Sequence, residues 1–298
     1  MYPAQFDYHT PGSIKEALDL LGKHKDDAKL LAGGHSLLPA MKLRLARPAH
    51  LVDLRKVPGL TGIREDGGSL VIGAMTTHYA VESSSAVKSK CPVLAATAAL
   101  IGDPMVRNMG TIGGSLAHAD PAADYPATII ALNAEMVVEG ARGKRTIKVD
   151  DFFKGLMTTA VGGDEILTEV RVPAGWKSTY WKLRRRGSFD FPILGVAAAL
   201  KFEKEVISEA RIALGAVASR PFLVEKAGEF LKGKTLSDEV IAKAAELVAN
   251  RAKPMDNTDM DLYWRKEVAD DFTGYALREL RGDDMRETRL RIARAAIA

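Results

Sequence analysis

Cysteine is almost absent from this 298-residue sequence, which contains Cys91 alone. One thiol excludes an internal disulfide framework, an iron–sulfur cluster held by four thiolates and a zinc site built on several cysteines. Uninterrupted apolar runs of about 18 residues are also missing, so we expect no membrane span. The N-terminus lacks the basic and apolar stretches of a secretory signal. Together with the single cysteine, this predicts a cytoplasmic protein.

A strong excess of one charge is missing too. The 42 Lys and Arg residues outnumber the 38 Asp and Glu residues by only four, and the densest basic cluster is Arg184, Arg185 and Arg186. Nucleic-acid binding requires a concentrated basic patch with interleaved aromatic residues, so no nucleic-acid partner is predicted. The mild positive charge is compatible with an anionic ligand or an acidic partner surface.

Several catalytic signatures are absent. The sequence contains no G-x-G-x-x-G, no H-E-x-x-H and no G-x-S-x-G, and no nucleophile lies beside a general base in any recognisable pattern. We therefore assign no catalytic side chain and no metal ligand. Any redox chemistry must then come from a bound cofactor.

One familiar pattern does occur, from Gly228 to Thr235, where the sequence matches G-x4-G-K-[ST]. A phosphate-binding loop of this kind requires a strand before it and a helix after it. Here residues 221–231 are predicted to be helical through the first half of the match. Gly233 is then expected to end that helix and Ser237 to begin the next one. This context does not fit a P-loop, and a nucleotide-binding P-loop protein is kept as an alternative only.

The hydrophobic pattern predicts an α+β chain with two domains, at residues 1–175 and 176–298. The first would contain two α/β subdomains, at about 1–57 and 58–175. A capping box at Ser13 and Glu16 predicts a helix, and a β-α-β unit follows. The second subdomain combines strands and helices with a long glycine-rich loop at 102–124, of a length typical of functional loops. Beyond residue 175, three strands precede three helices, which are predicted at 221–231, 237–251 and 258–280.

Two glycine-rich segments could bind phosphate. In residues 31–37, a strand ends before Gly33 and Gly34, and a helix begins after Ser36. Glycines allow close backbone approach, and a helix start offers unpaired N–H groups with a positive dipole end. In residues 110–115, the hydroxyls of Thr111 and Ser115 add further donors. A tight turn and an irregular surface loop are the simpler alternatives for the two segments.

Acidic residues follow the second segment. Asp120 and Asp124 could accept hydrogen bonds from the hydroxyls of a nucleotide. Helix capping ahead of residue 125 is the simpler interpretation for either one.

Taken together, residues 31–37 and 106–116 resemble the FAD-binding medium subunit of the molybdenum hydroxylases, the family of carbon monoxide dehydrogenase and xanthine dehydrogenase. Supporting segments are 164–167 and 182–185. The resemblance covers nearly the whole chain. It implies an N-terminal FAD-binding domain of two α/β subdomains, followed by a C-terminal domain with a small antiparallel sheet and a helical bundle.

The resemblance also implies non-covalent FAD binding and a role for individual residues. Backbone N–H groups of residues 32–36 and 111–115 would hold the diphosphate, and Asp124 the ribitol or ribose side. Ile101 would pack on the adenine, Leu167 on the isoalloxazine, and Lys182 would lie near the flavin and diphosphate. Phe191 would cover one flavin face, although the family is variable around residues 188–191. The full implied set is Leu31, Ala32, Gly33, Gly34, His35, Ser36, Leu37, Ile101, Thr111, Ile112, Gly113, Gly114, Ser115, Asp124, Leu167, Lys182 and Phe191.

Finally, the resemblance implies two partners. A large subunit would carry the molybdenum cofactor, and a small subunit would carry [2Fe–2S] clusters, which one cysteine cannot hold here. FAD would pass electrons to an external acceptor such as NAD or a quinone. The alternative functions are an assembly subunit that has lost its flavin and the P-loop nucleotide-binding protein considered above.

Overall fold

A computed structural model describes residues 1–187, 190–258 and 260–295, and it confirms the α+β class. Ser188 and Phe189, in the segment described above as variable, lie outside the described residues. So does Asp259, at the start of the third predicted C-terminal helix.

The first unit is a small parallel sheet. Its elements are β1 (Asp7–His9), α1 (Ile14–His24), β2 (Ala28–Leu31), α2 (Leu37–Lys42) and β3 (His50–Asp53), with the strand order β1-β3-β2. The capping box is confirmed at Ser13, whose Oγ accepts from the N–H of Glu16 at 3.1 Å. The Glu16 carboxylate reaches back to the N–H of Gly12 at 2.7 Å. The predicted β-α-β unit is therefore present, and β1 adds a strand that the sequence did not predict.

The second unit is an antiparallel five-stranded sheet, covered by helices, with a separate two-stranded hairpin. The sheet order is β4-β5-β10-β6-β7, and the hairpin pairs β8 with β9. The strands are β4 (Ile63–Asp66), β5 (Ser69–Gly73), β6 (Glu135–Gly140), β7 (Gly143–Lys148), β8 (Phe153–Gly155), β9 (Thr158–Thr159) and β10 (Glu165–Pro173). The helices are α3 (His78–Ser83), α4 (Ser85–Lys90), α5 (Pro92–Ala99), α6 (Pro104–Met109), α7 (Ile112–His118), α8 (Asp124–Ala131) and α9 (Val149–Phe152).

The expected glycine-rich loop at 102–124 is wrong, because most of that segment is helical. Asp103 begins α6 by accepting from the N–H of Val106 at 2.9 Å, with Pro104 at the first helical position. Thr111 begins α7 by accepting from the N–H of Gly114 at 3.1 Å. Low intrinsic helix propensity of the glycines is thus overcome by side-chain capping and by tertiary packing.

The third unit contains an antiparallel sheet and four helices. The strands are β11 (Lys177–Leu183), β12 (Leu194–Glu203), β13 (Val206–Gly215) and β14 (Phe222–Leu223), and they pair in that order. The helices are α10 (Glu225–Leu231), α11 (Asp238–Ala249), α12 (Leu262–Arg281) and α13 (Arg286–Ala295). Trp181, Phe272 and Leu277 belong to the core between sheet and helices. This is the expected small sheet with a helical bundle, extended by β14 and α13, which the sequence did not predict.

The P-loop alternative is wrong. Gly228 lies inside α10, where an added Cβ would lie 2.5 Å from the carbonyl oxygen of Ala210. Lys234 donates to the carbonyl oxygen of Phe230 at 2.6 Å, and its ammonium lies over the Phe230 ring. Ser237 begins α11, as expected. Gly228 thus lets α10 pack closely on β13, and Lys234 bonds to a carbonyl oxygen in the last turn of α10.

Helix α8 joins the second and third units. Its residue Ala127 lies 3.5 Å from where a Cβ of Gly215 in β13 would be, and Arg211 donates to the carbonyl oxygen of Ile130 at 2.9 Å. The first residue of α8, Asp124, therefore comes to lie beside β11. Among the described helices, none combines the length and apolar composition that crossing a membrane requires.

Candidate functional site

The two glycine-rich motifs, residues 31–37 (the first motif) and 106–116 (the second motif), lie directly against each other. An added Cβ at Gly33 would lie 2.3 Å from the carbonyl oxygen of Met109 and 2.7 Å from the Cα of Gly110. At Gly114, an added Cβ would lie 3.2 Å from the Cβ of Ala32. Because backbone meets backbone at these distances, the absence of a side chain at Gly33 is what allows the contact. The structure thus brings together two segments that are about 75 residues apart in sequence.

The first motif has unused hydrogen-bond donors. For the N–H groups of Gly33, Gly34, His35 and Ser36, the described part of the chain provides no acceptor. Gly34 has a φ of +80°, a left-handed conformation that favours glycine. Ser36 precedes α2, yet its side chain makes no capping bond, so its predicted capping role is positional only. Several N–H groups and a free hydroxyl at a strand-to-helix turn are suited to an anionic group such as a diphosphate.

The second motif uses its N–H groups within the protein. Ile112 and Gly113 donate to the carbonyl oxygens of Thr76 and Ala74, at 3.0 and 2.8 Å. The N–H of Gly114 donates to Thr111 Oγ1, as described above, and that of Ser115 to the Thr111 carbonyl at 3.0 Å. The N–H groups of residues 112–115 thus already have acceptors within the protein, and contact of residues 111–115 with a diphosphate stays a prediction. Their bonds hold α7 against residues 74–76, and the hydroxyl of Ser115 remains as a donor.

A buried ion pair joins α8 to β11. Lys182 Nζ donates to Asp124 Oδ2 at 2.9 Å and to the carbonyl oxygen of Leu100 at 2.9 Å. The hydroxyl of Tyr180 donates to Asp124 Oδ1 at 2.9 Å. The two charged side chains are only 2% and 5% exposed. The simpler interpretation of Asp124 as a helix cap is wrong, because its carboxylate bonds to β11 and the cap position is Ala123.

Burial and the partner charge act in opposite directions on this pair. Burial raises the pKa of Asp124, and the charge and hydrogen bond of Lys182 act against that rise. Burial likewise lowers the pKa of Lys182, against the attraction of Asp124. The electrostatic state of each group thus depends on the other. By contrast, Asp120 accepts from the N–H of Ala122 at 2.8 Å, a local bond in the turn before α8 and not a helix cap.

Ile101 and Leu167 belong to the hydrophobic core formed by α5, α8 and β10. Leu167 lies inside this core, and Ile101 packs at its margin. Ile101 is half-buried and directly follows Leu100, whose carbonyl accepts from Lys182. Leu167 is 6% exposed in β10, opposite Val138, and precedes a β-bulge. At that bulge, the carbonyl of Thr168 accepts from the N–H of Ala74 at 2.9 Å. This bond connects the bulge to residues 74–76, which accept the hydrogen bonds that hold α7 in place.

Phe191 is exposed to solvent over 65% of its surface. It follows Asp190, whose carboxylate accepts from the backbone N–H of Arg186 at 2.7 Å and pairs with that guanidinium. The contact of Phe191 with a flavin stays a prediction.

Three polar residues near the motifs were missed by sequence reasoning. His78 is buried against Gly110, where an added Cβ would lie 2.6 Å from Nε2, and its ring centroid is 5.3 Å from that of Tyr125. Burial lowers the pKa of His78 to about 4. In the described part of the chain, His78 Nδ1 and the Tyr125 hydroxyl have no partner. Tyr180 is the third missed residue. It stands two residues before Lys182 on β11, so the two side chains lie on the same face of the strand, and this spacing is visible in the sequence.

Models of two protein families match this chain. Residues 4–175 match the FAD binding domain in molybdopterin dehydrogenase, and residues 178–280 match the CO dehydrogenase flavoprotein C-terminal domain. The carbon monoxide dehydrogenase medium chain of Hydrogenophaga pseudoflava is 42% identical over 280 residues, which cover 93% of this chain and 97% of that one. The nicotine 6-hydroxylase medium subunit of Paenarthrobacter nicotinovorans is 42% identical over 242 residues, covering 80% and 84%.

Comparison with solved structures agrees with the sequence comparison. The solved carbon monoxide dehydrogenase from Hydrogenophaga pseudoflava, in a form lacking the Mo-pyranopterin moiety of its molybdenum cofactor, superposes with a TM-score of 0.90 at 41% identity, covering all of both chains. The chain therefore belongs to the FAD-binding medium subunits of the molybdenum hydroxylases. Members of this family are subunits of oxidoreductase complexes.

Proposed function

We propose that this chain is the electron-transfer flavoprotein subunit of a three-part molybdenum hydroxylase. It takes electrons from [2Fe–2S] clusters on a small partner subunit, while substrate is oxidised at a molybdenum cofactor on a large partner subunit. It passes the electrons to an external acceptor such as NAD or a quinone. The single Cys91 supports this division, because thiolate-held clusters must then lie on another chain.

The observation that carries the proposed binding mode is the group of unused N–H donors at Gly33, Gly34, His35 and Ser36. These donors, together with the hydroxyls of Ser36 and Ser115, would hold the FAD diphosphate. The contact of Gly33 with Gly110 fixes the two motifs relative to each other.

The remaining predicted residues would hold the other parts of the same cofactor. Asp124 and Lys182 fix α8 against β11. Asp124 would orient the ribitol or ribose side, and Lys182 would lie near the flavin and the diphosphate. Ile101 would pack on the adenine, and Leu167 and Phe191 would pack beside the isoalloxazine. When bound, FAD supplies the electron-accepting ring system, and the protein supplies position and electrostatics.

The substrate of the complex is left open by this chain. Relatives with the same 42% identity are named for carbon monoxide and for nicotine. Substrate choice would be made on the large partner subunit, away from the residues described here. A cytoplasmic location, expected from the single cysteine, stays part of the proposal.

An absorption spectrum of the purified chain, before and after incubation with FAD, tests the flavin part of the proposal. The visible bands of an oxidised flavin, retained through gel filtration, are the expected result. If the isolated chain binds no flavin, the same measurement is made on the complex co-expressed with its partners. A colourless chain that still assembles there would support the alternative of an assembly subunit.

The electron-transfer part is tested on the assembled complex by removing FAD with a chaotropic salt and adding it back. The complex without flavin should keep its iron and molybdenum, and substrate should still bleach the iron–sulfur absorption. Reduction of the external acceptor should be lost and should return with FAD. Unchanged acceptor reduction in the flavin-free complex would contradict the proposed role.

A further inference from the structure

Three histidines converge in the first unit, on the face of the parallel sheet that α1 covers. His9 ends β1, His24 ends α1 and His50 begins β3. One ring nitrogen of each lies within 4.8 Å of the other two, and His9 Nε2 is 3.2 Å from His50 Nδ1. Half of the six histidines in the chain are thus collected at one point by three different elements.

The rings are packed closely and are only half-buried. The His24 and His50 ring centroids are 3.6 Å apart, and that of His9 lies 5.4 and 5.3 Å from them. His24 Nε2 is buried and has no hydrogen-bond partner among the described residues. A buried nitrogen without a partner is costly, because its interaction with water has been lost and not replaced. This atom therefore needs a ligand that the protein itself does not provide.

We propose that His9, His24 and His50 form a binding site for a divalent transition-metal ion of the zinc type, separate from the FAD-binding motifs. Imidazole nitrogen is a preferred ligand for zinc, copper and nickel. Zinc–nitrogen bonds of about 2.0–2.1 Å in a tetrahedron require nitrogens about 3.3 Å apart. The His9–His50 separation, at present that of a hydrogen bond between the two rings, matches this value, and the His24 ring would have to turn out of its stack with His50 to complete the set.

Asp7 is the fourth member of the site. Its Oδ2 lies 3.4 Å from His50 Nδ1, and its side chain is largely exposed. The carboxylate would bind the ion directly, because His50 Nδ1, the ring nitrogen that it faces, carries no hydrogen once it binds the metal.

His24 and His50 lie at the opposite end of the strands from the first glycine-rich motif, and His9 lies on β1, which β3 separates from β2. His50 pairs with Ala28 at the start of β2, whereas Gly33 follows the end of that strand. Four strand residues span about 13 Å. Metal binding and FAD binding should therefore be separable, and the ion would act as a cross-link between β1, α1 and β3.

Titration of the FAD-loaded full-length chain with zinc chloride, in chelator-free buffer, tests the proposal. We expect one zinc ion per chain and a rise in the unfolding temperature on binding. His24→Ala should weaken zinc binding by about 100-fold or more, because even changes outside the ligand shell cost about 10–100-fold. Asp7→Asn should weaken it by about 10–100-fold.

His118→Ala is the matched control, since it removes a half-buried histidine that is not part of the cluster. FAD content and circular dichroism establish that each variant is folded, and His24→Asn replaces His24→Ala if the alanine variant does not fold. The proposal is overturned if the wild-type chain shows no saturable zinc binding. It is equally overturned if the His24 and His118 variants bind zinc with the same affinity, which would leave only a packed histidine cluster.

Discussion

Gly33 and Gly110 lie in backbone contact, so that a Cβ added to Gly33 would come within 2.7 Å of the Gly110 Cα. Gly33→Ala should therefore push the two glycine-rich motifs apart. Overpacking of this kind costs about 1–3 kcal/mol, and FAD affinity should fall by about tenfold or more, since 1.4 kcal/mol corresponds to a factor of ten. A fluorescence titration with FAD measures the affinity.

Gly163→Ala is the control for that substitution. Gly163 is exposed, and an added Cβ there would meet no atom within 4 Å. Its FAD affinity and stability should equal those of the wild type. If Gly33→Ala and Gly163→Ala bind FAD with the same affinity, the backbone contact at Gly33 does not control FAD binding.

The Asp124–Lys182 pair should be energetically coupled. Lys182→Met leaves a buried carboxylate with only the Tyr180 hydroxyl as a side-chain donor, and loss of one partner of a buried pair costs about 3–5 kcal/mol. Asp124→Asn combined with Lys182→Met should recover much of that loss, because no buried charge remains. Urea unfolding of both single variants and the double variant gives the coupling energy. Simple additivity of the two single changes would argue against the ion pair.

Acid stability should depend on Glu165, two residues before Leu167. Hydrogen bonds from Arg145 hold the pKa of Glu165 below its ordinary value of 4.5. A folded-state pKa below the unfolded one gives stabilisation that is complete above the unfolded value and is lost as the pH falls through the folded value. Glu165→Gln should therefore flatten the decline in unfolding free energy between about pH 5 and pH 3. The same decline in Glu165→Gln as in the wild type would refute the assignment.

Two helical glycines should respond to alanine in opposite ways. Gly274 lies inside α12, and an added Cβ meets no atom within 4 Å. Gly274→Ala should raise the unfolding free energy by about 0.5–1 kcal/mol, the ordinary gain for glycine to alanine in a helix. Gly228→Ala in α10 should lower it, because the Cβ would lie 2.5 Å from the Ala210 carbonyl. Thermal unfolding of both variants checks the signs, and a shared sign would contradict the packing described.

Much of the fold could be predicted from local signals. The capping box at Ser13 and the strand 165–172 are both present, the latter as β10 (Glu165–Pro173). The predicted loop at 102–124 failed because glycines lower helix propensity, whereas Asp103 and Thr111 cap two short helices that pack against other elements. Tertiary contacts of this kind leave little trace in a local pattern.

The site was predictable in part. The two glycine-rich motifs were recognised together, and the structure brings them into contact. The sequence could not show that the N–H groups of Ile112 and Gly113 are used by residues 74–76, because those bonds depend on distant segments. Nor could it show the convergence of His9, His24 and His50, which are spread over 42 positions and meet only after the sheet forms.

The central claim is that unused donors around Gly33 and Ser36 hold the diphosphate of FAD. Calorimetric titration of the flavin-free chain with FMN and with riboflavin, which differ by a single phosphate group, tests it most directly. Hydrogen bonds to charged groups contribute about 1.5–3 kcal/mol each, so two of them predict that riboflavin binds about 100-fold more weakly than FMN or worse. Equal affinity for FMN and riboflavin would contradict the account.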